Sequence, residues 1–156
     1  MELQKVLKEL ITYPTEANWF EFKVNWYEPN GIGEYISSLA NAAAMGGREC
    51  GYLVWGVDND SHEIVGTSFN YRTTVRNQPL EHYLARQIVP DNSFSFHEIM
   101  IEGKRVVVLI VSAANKIPTG FAGNRYMRIG SSKVNLNKYP ERESNLFHIL
   151  RVGLPT

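Results

Sequence analysis

Apolar residues recur along the chain with two different periods, and each period predicts a different element. Leu3, Val6, Leu7 and Leu10 fall at helical spacing and predict a short amphipathic helix over 2–11, ended by Pro14. Between Trp19 and Val24 the period drops to two. Phe20, Phe22 and Val24 alternate with Glu21 and Lys23, as in a half-buried strand. Pro29-Asn30-Gly31 predicts a turn. Ile36, Leu39, Ala40 and Ala43 then share one face of a helix over 33–44, closed by Gly46-Gly47. Gly51 to Val57 is almost continuously apolar, the signature of a strand covered on both faces.

Further on, Asp58 to His62 is polar and turn-like, with a short return strand predicted over 63–66. A helix is predicted over 80–88, ended near Pro90. Strands over 94–101 and 105–111 are joined by Glu102-Gly103-Lys104 as a hairpin. A loop over 113–124, a last strand over 125–129 and a C-terminal helix over 141–151 complete the reading. Helices and strands mix without strict βαβ alternation, so the expected fold is α+β, a single domain over 1–156 with a mixed β-sheet flanked by helices.

Composition narrows the function classes. The 156 residues are 44% hydrophobic, enough for one core without staples. A lone cysteine, Cys50, excludes a disulfide framework and a Cys-rich zinc site, and fits a reducing, cytoplasmic setting. The charged N-terminus does not read as a signal peptide, and no apolar run reaches membrane-spanning length, so no membrane partner is expected. Net charge is zero, but its distribution is lopsided. Residues 1–63 hold ten acids against four bases; residues 104–133 hold six bases (Lys104, Arg105, Lys116, Arg125, Arg128 and Lys133) and no acid. Folding such a chain can leave a positive face on a neutral protein.

Two constellations carry chemistry. Glu21 and Lys23 share one strand face, Glu16 lies in the entering turn, and Asp58-Asn59-Asp60 follows the buried strand. Converging carboxylates there would suit Mg²⁺ or Mn²⁺ and water activation against a phosphodiester, although loop acids are usually turn formers. The second constellation is Arg125-Tyr126-Met127-Arg128-Ile129-Gly130-Ser131-Ser132-Lys133. Tyr126 and Arg128 share one face of the predicted strand. An aromatic beside an arginine on an exposed face suits a phosphate or a stacked base. Gly130, Ser131 and Ser132 add backbone N–H groups and hydroxyls. The four histidines show no metal-ligand spacing, and Gly46-Gly47 with Gly51 matches no phosphate-loop pattern.

Glu16 to Lys23 as Glu-x-x-x-x-Glu-Phe-Lys, Ile36-Ser37-Ser38-Leu39-Ala40-Asn41, Gly51 to Asp58, Ile64-Val65-Gly66 and Tyr126 to Ser132 occur in the order typical of the Schlafen AlbA_2 family, and the chain resembles that family from about Thr15 to Lys138. The family, earlier described as a divergent AAA domain, resembles the N-terminal part of longer transcriptional-regulator-like proteins of bacteria. The chain is therefore expected either to stand alone or to continue into further domains.

The resemblance implies a nucleic-acid-binding domain of a transcriptional regulator, with DNA or RNA as partner and no cofactor. Its contact residues would be Lys23, Lys116, Arg125, Tyr126, Arg128, Ser131 and Lys133. It also implies an alternative. Animal Schlafen proteins are metal-dependent endoribonucleases whose site is two glutamates five apart and an aspartate after the central strand. Here Glu16, Glu21 and Asp58, or Asp60 in its place, would be both catalytic residues and ligands of Mg²⁺ or Mn²⁺. Those enzymes enclose RNA between two lobes, which a single lobe would copy as a homodimer. A nucleotide-binding or protein-interaction module is the third reading. Binder rather than enzyme is the expectation.

Overall fold

In the computed structural model, which describes residues 2–14, 17–129 and 132–152, the helical spacing near the start gives α1 (Leu3–Leu10), with Leu7 and Leu10 buried. Strand β1 (Phe20–Lys23) leads to α2 (Pro29–Met45), which starts earlier than the residue pattern predicts. Pro29 occupies the first helical turn, where its fixed φ and missing N–H are tolerated, so the Pro-Asn-Gly run opens the helix instead of forming a turn. Strand β2 (Cys50–Trp55) follows. The predicted return strand over 63–66 reduces to a single bridge between Val57 and Ile64.

Two-residue strands β3 (Thr74–Val75) and β4 (Gln78–Pro79) form a hairpin ahead of α3 (Leu80–Ala85), and β5 (Ile88–Val89) follows it. The long hairpin β6 (Phe94–Ile101) and β7 (Lys104–Ser112) matches the sequence reading. Beyond it lie β8 (Gly120–Phe121), β9 (Asn124–Ile129) and β10 (Ser132–Asn135), so β9 is not the last strand. A short 3-10 turn (Leu136–Lys138) and α4 (Pro140–Val152) complete the described chain.

The strands form one four-stranded sheet in the order β1-β2-β7-β6 and a second in the order β10-β9-β8-β5, beside the small β3–β4 hairpin. Only β1 and β2 pair in parallel within the first sheet, which makes it mixed. Alternation along β2 feeds two cores. Leu53 and Trp55 join Ile32, Ile36 and Leu39 of α2, while Tyr52 and Val54 join Leu7 and Leu10 of α1. Helices therefore cover both faces of the sheet, and the apolar run of β2 is what double coverage requires.

The second sheet leans on α2 through polar contacts as well as packing. Ser37 donates to the Thr119 carbonyl at 2.7 Å and accepts from the Tyr126 N–H at 2.9 Å. Asn41 donates to the carbonyls of Thr119 and Tyr126 and accepts the Thr119 N–H. Both side chains are fully buried. The polar positions of the Ile36 to Asn41 segment thus act as an adaptor between a helix and a sheet edge, pairing backbone groups that burial would otherwise leave unsatisfied.

Candidate nucleic-acid interface

Strand β1 divides its side chains between two faces. Phe20 and Phe22 enter the core under α1, so Glu21 and Lys23 project to the α2 side, at the sheet edge where the second sheet arrives. There Glu21 meets Arg128 of β9. The guanidinium lies 2.8 Å from the Glu21 carboxylate and donates to the Phe20 carbonyl at 2.8 Å. Glu21 is 6% exposed and Arg128 4%. The expected exposed pairing of Tyr126 with Arg128 is therefore corrected: a second layer covers that strand face, and Arg128 clamps two sheets together instead of facing solvent.

One strand over, the environment opens. Lys133 of β10 is paired with Arg128 across the ladder. Its ammonium reaches 2.9 Å from Glu34 and sits 4.3 Å from the centre of the Tyr35 ring. The Lys23 ammonium approaches the same ring at 5.3 Å and the Trp26 ring at 5.1 Å. Trp26 and Tyr35 pack edge to face. The Tyr126 hydroxyl hydrogen-bonds Glu34, and its pKa is raised, first by burial and then by the negative charge of Glu34. Two ammonium groups thus converge on one aromatic ring, with Glu34 held between Lys133 and Tyr126. Glu34, Tyr35 and Trp26 were not among the residues singled out from sequence. The signal that finds them is Pro29 as a helix start, which puts Glu34 and Tyr35 in the second turn of α2, facing the sheet seam.

Other sequence candidates lie elsewhere. Arg125 points to the opposite face of β9, toward α4, where it pairs with Glu143 at 3.4 Å and stacks over Phe147. Lys116 is exposed on the β7–β8 connection, close to Ala114, whose N–H bonds the Ala40 carbonyl midway along α2. Among the described residues no contact ties Lys116 to the Lys23–Lys133 cluster. Glu16 and Ser131 lie outside the described residues.

The loop acids have local work. One Asp58 carboxylate oxygen accepts the N–H groups of Ser61 and Asp60 at 2.8 and 2.9 Å. Those backbone hydrogen bonds, Ser61 first, hold its carboxyl below the usual range. The turn then lays His62 against Phe22, on the face of β1 opposite Glu21. Asp60 is exposed. Among the described residues no three acids, histidines or cysteines gather in a metal-binding arrangement. A wide cleft of about 510 Å³ opens away from all of these acids, between α1 and the α2–β2 connection. Among its described lining residues the one cation, Arg48, is already stacked on Trp19 at 3.8 Å.

These features define an α+β domain whose mixed sheet and second sheet are bolted together across one long helix, with a lysine–aromatic cluster at the seam. The chain belongs to the Schlafen AlbA_2 family, whose model matches residues 16–137. Solved structures that share the fold include these two. The DIP2311 protein from Corynebacterium diphtheriae is 15% identical with a TM-score of 0.62 over 99% of this chain, which spans 32% of that protein's chain. The N-terminal domain of a RecG-related protein from Nitrosomonas europaea, described as a candidate ATP-dependent DNA helicase, is 23% identical with a TM-score of 0.50, covering 85% of this chain and 91% of that one. No curated protein matches the sequence. No described helix is long and apolar enough to cross a membrane.

Proposed function

We propose that this domain binds nucleic acid, as a module of a bacterial transcriptional regulator acting in the cytoplasm. The observation that carries the reading is the convergence of Lys23 and Lys133 on the Tyr35 ring at the sheet seam. Ammonium groups held by aromatic faces stay positioned for phosphates. The similarity to the N-terminal domain of a DNA-helicase-related protein supports the same reading by analogy.

Binding is favoured over metal-dependent cleavage on one physical ground. Arg128 already supplies the counter-charge to Glu21 at 2.8 Å, and Asp58 commits an oxygen to its own turn. Two of the three carboxylates that a divalent ion would need therefore have other partners.

Filter binding of DNA and RNA across a salt series, with and without Mn²⁺, tests both halves. Wild-type protein should bind with a steep salt dependence. Replacing Lys23 and Lys133 together by Ala should flatten the log–log slope for single strands by about 1.4, from roughly 0.7 per phosphate contact. No binding at low salt removes the proposal. Mn²⁺-dependent cleavage of RNA by the wild-type protein replaces it with the nuclease reading.

A further inference from the structure

Away from the seam, residues 64–89 hold three arginines, Arg72, Arg76 and Arg86, against a single acid, Glu81. All three are exposed, and none forms an ion pair among the described residues. Arg76 and Asn77 form the two-residue loop of the β3–β4 hairpin, with φ of 51° and 64°. Two consecutive positive φ values define a type I′ turn, which Asn-Gly fills with least strain. Arginine at the first position is a costly choice for the backbone, and it places a long cation at the hairpin tip.

Neighbouring groups fit the same use. Arg86 reaches back to the hairpin through Gln78, at 3.4 Å, and Arg72 lies over the Tyr71 ring at 4.7 Å. From α3, Tyr83 hydrogen-bonds Asn30 at the start of α2, three residues beyond Tyr27, which is 43% exposed. Tyr27 adjoins Trp26, which carries Lys23. A run of ring contacts leads from Trp26 beneath Lys23 through Trp55 and Phe96 to Tyr71 beneath Arg72, so the two cationic groups flank one aromatic core.

We propose that the β3–β4 hairpin, with Arg76 at its tip and Arg72 and Arg86 beside it, is a second phosphate-contact site for the same nucleic-acid strand that the lysine cluster holds. This rests on the nucleic-acid reading above. A strand long enough to reach both sites gains contacts that a short one lacks.

The test compares single-stranded oligonucleotides of about 6 and about 16 nucleotides, DNA and RNA in separate arms, within the range of such binding footprints. Three proteins are measured: wild type, Arg76→Asn and Arg76→Lys. Asparagine suits the left-handed turn better than arginine but removes the charge; lysine keeps the charge without relieving the turn. Arg76→Asn should weaken binding of the long strand and lower its salt slope by about 0.7, leaving the short strand unaffected. Arg76→Lys should retain most of the long-strand affinity. Equal binding of the long strand by wild type and Arg76→Asn overturns the second site. So does a loss in Arg76→Lys with none in Arg76→Asn, which would follow the turn instead of the charge. If the second site fails while the Lys23/Lys133 double variant still weakens binding, the first reading stands alone. If wild type binds neither length, both fall.

Discussion

Two charged pairs a few residues apart show how burial decides what a residue does. Arg128 and Glu21 are both nearly inaccessible, so neither is available to a phosphate or a metal without disrupting the seam. Arg128→Ala would strand Glu21 as a buried carboxylate, at a cost of about 3–5 kcal/mol. Chemical denaturation should show that loss, and it should precede any effect on binding. Replacing both partners by apolar residues of similar size should recover much of it, because removing a buried pair together leaves no orphan charge. Unchanged stability in Arg128→Ala would mean the clamp is misassigned.

Glu34 is the opposite case, since it shares its pair with open surface. Its carboxylate occupies a position beside Lys133 and Tyr126 that a phosphate oxygen would also suit. Glu34→Gln should therefore tighten nucleic-acid binding and steepen its salt dependence, whereas the equal charge change Glu102→Gln, on the distant β6–β7 turn, should do neither. The same variant has a spectroscopic readout. Removing the Glu34 charge takes away one cause of the raised Tyr126 pKa, so the phenol should ionise at lower pH than in wild type. Burial, the larger cause, remains and keeps it above the ordinary value.

Among the elements, those with a strong period were legible in sequence, and those stabilised by distant partners were not. α1, β2, β6 and β7 follow from apolar spacing alone. Strands β3, β4, β5 and β8 are two residues each, too short to display a period, and β5 and β8 exist because Ile88 meets Phe121 across the fold. The chemistry of the candidate site was legible as residue types: Lys23, Tyr126 and Lys133 do gather at one seam. What alternation along β9 could not reveal is that the Arg128 face lies beneath another layer, since period two gives faces but not what covers them.

α2 makes the same point through Gly33. A Cβ there would lie 2.1 Å from the Phe121 ring, which is itself buried. Gly33→Ala would gain about 1 kcal/mol of helix propensity but meet overpacking of about 1–3 kcal/mol. The expected outcome is a lower melting temperature despite the better helix former. A higher one would show that Phe121 moves aside freely.

For the molecule as a whole, the polar adaptor on α2 has a consequence in time as well as space. The Thr119 and Tyr126 amides are held by side chains of a helix, not by a neighbouring strand. Their hydrogens should consequently exchange with solvent only when the second sheet lifts off α2, a sub-global opening distinct from fraying of either hairpin. Ser37→Ala should release the Tyr126 amide to rapid deuteration while leaving that of Val54, deep in the first sheet, as slow as before. Followed site by site, those two protons would time how long the two halves of the interface stay joined.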